Sequence, residues 1–237
     1  MFVESKRNGL YQVTDIVRAI FYPDRCCFCG KVIIRKTGLC DNCKNQERII
    51  QTPKCFSCGK DKKQCKCKQK STFYQAITAP YYYTGLARAG IIRWKYGNAS
   101  NSVKFFAKQV AQCITKDFDI KMFDYITFVP QTEKEMAERG KNQSENLAKE
   151  IGQLLNIPVK HLIVKLFETQ HQHDLPWYRK SGNIFATFDC IDTQNIKGKN
   201  ILLIDDIKTS GYTLNECAKV LHLNDACNVY CAVIGIT

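Results

Sequence analysis

The sequence predicts an α/β domain built on a parallel sheet with helices on both faces, preceded by a small cysteine-rich module. Three observations predict it. Nine of the 14 cysteines fall before residue 68, eight of them in four closely spaced pairs. Past residue 70, short apolar runs alternate with segments of helical periodicity, the pattern of strands joined by crossover helices. ILLI (201–204) is a continuous apolar run, as expected of a strand covered on both faces.

The elements run in chain order. Val13, Ile16, Val17, Ile20 and Phe21 fall on one face of an amphipathic helix that Pro23 ends, so residues 1–24 form a leading helical segment. Residues 25–70 form the cysteine module and 71–237 the α/β domain. Within that domain Val103, Phe106, Ala107, Val110 and Ile114 mark a helix over 101–115. YITFV (125–129) reads as a strand stopped by Pro130. A helix over 144–155 carries Leu147, Ala148, Ile151, Leu154 and Leu155 on one side. After the 201–204 strand come a helix over 213–223 and a closing strand, VYCAVIGI (229–236). No internal repeat stands out.

No run of about 18 apolar residues exists, so no membrane span is expected. The opening MFVESKRNGL lacks an apolar core, and Asp15 and Arg18 interrupt the apolar residues after it, so no secretory signal is expected either. A reducing cytoplasm is therefore the expected compartment. Clustered thiols in that setting point to metal rather than disulfides.

The front cysteines pair as Cys26-x2-Cys29, Cys40-x2-Cys43, Cys55-x2-Cys58 and Cys65-x-Cys67. Two such pairs complete a tetrahedral four-thiolate site, which predicts two structural Zn²⁺ ions: one on Cys26, Cys29, Cys40 and Cys43, the other on Cys55, Cys58, Cys65 and Cys67. Gly30 and Gly59 come directly after the second cysteine of their pairs, where a tight knuckle favours positive φ. A redox cluster and an iron–sulfur cluster are the alternatives to zinc. Cys27 is left over.

Charge is uneven. Residues 1–117 carry 22 Lys and Arg against 7 Asp and Glu, and the remainder 13 against 15. Lys60, Lys62, Lys63, Lys66, Lys68 and Lys70 surround the second cysteine set. A second basic stretch, YYYTGLARAGIIRWKYG (81–97), interleaves aromatics with Arg88, Arg93, Trp94 and Lys95. Such residues can meet phosphates and stack on bases. A solvated lysine surface and ordinary core packing are the competing readings.

The sharpest motif is ILLIDDIKTSGYT (201–213). It places Asp205 and Asp206 at the carboxyl end of a strand, where open α/β sheets bind ligands. Ile207 to Thr213 then lead into a helix N-terminus, an anion cradle of unpaired amides. Thr209, Ser210 and Thr213 add hydroxyls, and Gly211 lets the backbone approach. The cradle suits a phosphate, and the acids suit sugar hydroxyls or Mg²⁺ reached through water. An Asp-Asp helix cap is the plain alternative.

This stretch resembles the phosphoribosyl-pyrophosphate (PRPP) loop of type I phosphoribosyltransferases. IIRWKYG (91–97), RGKNQSENLA (139–148) and Thr169, Gln172, Leu175, Asn183 and Phe188 within 169–188 are similar to segments of the ComF family, as is the paired-knuckle front end. The resemblance implies a phosphoribosyltransferase-like sheet behind a double zinc ribbon. It implies a role in natural competence, with single-stranded DNA, PRPP or a related sugar phosphate, and DNA-uptake helicase machinery as partners. It also implies that Asp205 and Asp206 hold ribose hydroxyls while Ile207, Lys208, Thr209, Ser210, Gly211, Tyr212 and Thr213 hold the 5′-phosphate. Pyrophosphate with bridging Mg²⁺ belongs near Pro130 and Gln131, and Arg139, Gly140, Asn142 and Gln143 are candidates to close over it. Lys208 departs from the superfamily's usual apolar residue; it either neutralises the acids or points outward. Thr209 stands where purine-salvage members often carry an aspartate base. No side chain is assigned to catalysis, and an active transferase and a binding module both remain open.

Overall fold

The computed structural model describes residues 23–33, 38–46, 49–67, 71–97, 100–166 and 187–237. The helix expected over 1–24 and most of the 169–188 stretch lie outside the described residues.

Five parallel strands form the main sheet. They are β1 (Ala76–Thr78), β2 (Tyr81–Tyr82), β3 (Tyr125–Phe128), β6 (Asn200–Lys208) and β7 (Asn228–Ile236). The order is β1-β7-β6-β3, and β2 also pairs with β7, so β1 and β2 act as one edge strand broken at Ala79–Pro80. Two further strands, β4 (Ile163–Lys165) and β5 (Phe188–Cys190), form an antiparallel pair.

The continuous apolar run behaves as its pattern demands. Leu202 and Ile204 enter one core; Ile201 and Leu203 enter the other. The first core is filled by α2 (Gly85–Tyr96), α3 (Ser100–Asp117) and α5 (Gln143–Leu155), through residues such as Ile91, Phe106, Val110, Leu147 and Ile151. The second is filled by α6 (Tyr212–Leu223) through Leu214, Cys217, Ala218 and Leu221, with Ile163 and Phe188 beside it. Helices thus cover both faces. A short helix, α4 (Glu133–Arg139), comes after β3, started by a reciprocal capping box between Thr132 and Glu135.

β6 is longer than its apolar run. It continues through Asp205 and Lys208, pairing with β7 as far as Ile236. Ile207 and Lys208 are therefore strand residues, and the cradle loop proper begins at Thr209. The late cysteines divide: Cys217 and Cys231 are small core residues as expected, Cys113 and Cys190 are half-buried, and Cys227 is exposed.

The cysteine module is built from two knuckles of one design, a repeat that the sequence pattern did not reveal. In each, the first cysteine's amide donates five residues ahead (Cys26 to Lys31, Cys55 to Lys60, both 2.8 Å). In each, the amide of the glycine after the second cysteine returns to the first cysteine's carbonyl, with φ of +78° at both Gly30 and Gly59. The first set is completed by α1 (Asp41–Asn45), which carries Cys43, and the second by a segment after a turn at 62–64, without regular secondary structure.

The module is wedged into the sheet domain. Phe28, fully buried, joins an aromatic cluster with Tyr81, Phe105 and Phe106. A Cβ on Gly90 of α2 would stand 2.6 Å from the Cys27 carbonyl oxygen, so only glycine permits this approach. The second knuckle meets the sheet edge, where Ile77 N–H donates to the Phe56 carbonyl at 2.9 Å. Lys54 crosses from the module to a buried ion pair with Asp117 at 2.7 Å and a bond to Thr78 at 2.9 Å. No helix among the described residues is long and apolar enough to cross a membrane.

Candidate functional site

Two four-cysteine sets are assembled as the spacing predicts. Within Cys26, Cys29, Cys40 and Cys43, and within Cys55, Cys58, Cys65 and Cys67, all sulfurs lie within 4.8 Å of one another. Cys29 and Cys40 Sγ are 3.8 Å apart, and Cys58 and Cys65 Sγ 3.7 Å. A tetrahedron with Zn–S arms of about 2.3 Å has edges of about 3.8 Å, so both sets fit zinc. Thiol acidity fits as well. In the first set, burial opposes ionisation of Cys26, but hydrogen bonds to its sulfur from Cys29, Cys40 and Phe28 outweigh it and bring the thiol down to about 7. Burial and the neighbouring sulfurs push Cys43 up. In the second, Cys65 falls to about 7 through backbone and thiol hydrogen bonds, while burial drives Cys58 up to about 12. Four thiols this close resist full ionisation until a dication joins them.

The second constellation gathers at the carboxyl end of β6. Register sets it there. Phe128, the last residue of β3, pairs with Ile204, so Asp205 and Asp206 emerge beside Val129, Pro130 and Gln131. The start of α5 closes on the same spot. Asn142 caps it by accepting from the Ser144 and Glu145 amides, and its own amide donates to the Val129 carbonyl at 3.1 Å. Ser144 Oγ then donates to Asp205 Oδ1 at 2.8 Å, an oxygen that also accepts the Asp206 amide at 2.8 Å. Burial, then the neighbouring Asp206 charge, raises the Asp205 carboxyl to about 7 against those hydrogen bonds and the Lys95 charge.

Lys95 is the unforeseen member. Its Nζ lies 2.6 Å from Asp206 Oδ2. Its carbonyl accepts from Gln143 Nε2 at 3.0 Å, and Gln131 Nε2 donates to Gln143 Oε1 at 3.2 Å. The last turn of α2 therefore reaches three ways. Arg93 donates to the Phe28 carbonyl in the first knuckle, Trp94 is buried against Phe106, and Lys95 holds the acid.

That arrangement gives several residues of the 81–97 stretch internal roles. Trp94 and Tyr81 are core residues with no face for a base, and Tyr82 donates to Asp61 at 2.7 Å. Arg93 and Lys95 have internal partners. Arg88 is exposed and lies 5.8 Å over the Tyr83 ring, and Arg93 is exposed although it donates to the Phe28 carbonyl. Around the second knuckle, Lys62, Lys63 and Lys66 are exposed and Lys60 is half-buried; Lys68 and Lys70 lie outside the described residues.

The cradle loop is open. Thr209, Ser210, Tyr212 and Thr213 are exposed, Gly211 has φ of +83° and offers no side-chain cap to α6, and Ser210 Oγ accepts the Tyr212 amide at 3.3 Å. Lys208 neither neutralises the acids nor points outward. It is buried beneath the loop, its Cε 2.9 Å from where a Gly211 Cβ would stand. Burial lowers its ammonium's pKa, partly offset by the nearby Cys58 and Cys67 of the second set. Of the lid candidates, Asn142 and Gln143 are buried in the site and Gly140 is exposed at φ +70°, ending α4; the Arg139 side chain lies outside what is described. Ser144 and Lys95 are the site residues that sequence reasoning missed or misplaced. Their neighbour Asn142 carried a readable signal, a capping residue directly before a helical run.

Comparison with known proteins finds similarity along most of the chain. The double zinc ribbon domain model matches residues 17–74. Competence protein F of Haemophilus influenzae is 27% identical over 213 residues, covering 85% of this chain and 92% of that protein. The DNA utilization protein YhgH of Salmonella typhimurium is 23% identical over 225 residues, covering 93% and 94%. Among solved structures, the purine phosphoribosyltransferase of Pyrococcus horikoshii aligns with a TM-score of 0.36 and 15% identity over 57% of this chain and 82% of that one. The chain is a homologue of competence protein F, with a double zinc ribbon in front of a parallel α/β sheet domain.

Proposed function

We propose that the chain is a cytoplasmic competence protein for natural transformation that binds a PRPP-type sugar phosphate at the end of β6 and single-stranded DNA through its zinc module. The observation that carries the sugar-phosphate half is the pairing of two acids with an exposed loop and helix N-terminus that follow them directly. Carboxylates repel phosphate, so they take hydroxyls, while the loop amides take the anion. Pyrophosphate, with its Mg²⁺, is served by the Val129–Gln131 turn beside them. The name of the Haemophilus relative supports the competence role, and that of the Salmonella relative supports a DNA ligand.

The DNA surface comprises the exposed lysines of the second knuckle with Phe56, 60% exposed at its tip and available to stack on a base. Changing Lys62, Lys63 and Lys66 to Gln tests it. Single-strand affinity at fixed salt should fall about tenfold or more, and the log K against log salt slope should flatten by about two, at roughly 0.7 per phosphate contact. Unchanged binding and slope would move the site elsewhere.

One observation favours turnover as a second reading. The Asp205 carboxyl, raised to about 7, can hold or release a proton near neutral pH, as a general acid or base must. Pyrophosphate release from Mg-PRPP, assayed with each nucleobase and with DNA, decides it; background rates throughout would leave a binding protein.

A further inference from the structure

We propose that Lys95 is the built-in counter-cation of the acid pair, so that the ribose 5-phosphate portion of the ligand binds without a divalent metal at Asp205 or Asp206. The inference rests on the sugar-phosphate reading above and specifies how that site selects its ligand.

The geometry leaves little room for a metal at the carboxylates. Lys95 Nζ stands 2.6 Å from Asp206 Oδ2, with side-chain exposures of 20% and 12%. This ammonium is not a surface charge that swings freely. Trp94 anchors the turn in the core, Arg93 hooks it to the first knuckle, and Gln143 Nε2 holds the Lys95 carbonyl at 3.0 Å. Asp205 is engaged as well, its Oδ1 accepting from Ser144 Oγ and the Asp206 amide. A Mg²⁺ ion wants several oxygen ligands at about 2.0–2.1 Å in near-octahedral geometry. Here it would meet an ammonium already seated on one acid and hydrogen-bond donors on the other. A sugar hydroxyl meets no such conflict. It is neutral, donates to a remaining carboxylate lone pair, and leaves the Lys95–Asp206 contact in place. The Lys95 charge, 2.6 Å from Asp206, also reduces the repulsion between the acids and an anionic ligand.

The test uses the zinc-loaded full-length protein, with no chelator, and ribose 5-phosphate as probe in titration calorimetry with and without added Mg²⁺. Wild type should bind with affinities within about twofold under the two conditions. Lys95→Met should weaken metal-free binding about tenfold or more and regain affinity on adding Mg²⁺, whereas Lys95→Arg should stay metal-independent. Thermal unfolding of each variant checks that it is folded. A wild-type affinity that rises tenfold or more with Mg²⁺ overturns the proposal while the cradle stands, as does a Lys95→Met variant indistinguishable from wild type. Absence of ribose 5-phosphate binding under both conditions overturns it together with the sugar-phosphate reading.

Discussion

Asp205 is an acid held where its proton is hard to lose. Burial is the larger cause and Asp206 the next; Ser144, the Asp206 amide and Lys95 oppose them, and the carboxyl settles at about 7 from an ordinary 3.8. With the folded value above the unfolded one, its contribution to stability is full below about pH 4 and is lost as pH rises through about 7. Asp205→Asn removes that dependence. Urea midpoints should show the variant gaining on wild type as pH goes from about 5 to about 8, and a difference that stays constant across that range contradicts the account. The zinc thiolates titrate in both proteins and cancel in the comparison. The identity of this residue was legible in the sequence because two acids directly follow an apolar run. Its partners were not. Lys95 and Ser144 lie far away in the chain and reach the acids only once α2 and α5 pack on the same sheet face. Lys208 shows the same limit, since nothing local reveals that its stem is buried beneath Gly211.

Elements were read best where burial dictates composition. The β6 run and the α3, α5 and α6 faces are apolar because each packs against a core, so hydropathy finds them. It fails where pairing continues without apolar side chains. The last residues of β6 stay in the ladder with β7 although Asp205 and Lys208 among them are charged. Helix α4 was missed although its capping box, Thr132-x-x-Glu135, is visible in the sequence. Contacts between elements yield two predictions. Lys54 and Asp117 form an ion pair with side chains 5% and 11% exposed, joining the zinc module to α3. Lys54→Met leaves Asp117 uncompensated and should cost about 3–5 kcal/mol in chemical denaturation; a loss below about 1 kcal/mol would show that the pair is dispensable. Gly90→Val drives a side chain into the Cys27 carbonyl and the Phe28 ring, so it should destabilise the docked knuckle by about 1–3 kcal/mol. Denaturation that leaves the midpoint unchanged would contradict that packing.

At the scale of the whole molecule, the zinc module and the sheet domain form one mechanical unit. Both knuckles are seated on the sheet domain, the first by Phe28 against α2 and α3, the second by Gly59 against Ile77 and Ile236. The cysteine spacing foretold two metal sites, but it could not foretell this docking, because its partners, such as Phe28 with Tyr81 and Phe106 or Lys54 with Asp117, lie far apart in the chain. Stripping zinc with a strong chelator should therefore lower the unfolding temperature of the entire chain in one transition. Two separated transitions, with the sheet domain unaffected, would show independent bodies. The second knuckle also lies close enough for Cys58 and Cys67 to act electrostatically on Lys208 beneath the ligand loop. The central claim is that the end of β6 is a sugar-phosphate site, and calorimetric titration of Mg-PRPP into wild type and the Asp205→Asn/Asp206→Asn double variant tests it most directly. Saturable heat with wild type and a loss of about tenfold or more in affinity with the folded variant is the predicted result; no heat from wild type at millimolar ligand, or equal binding by both proteins, would contradict it.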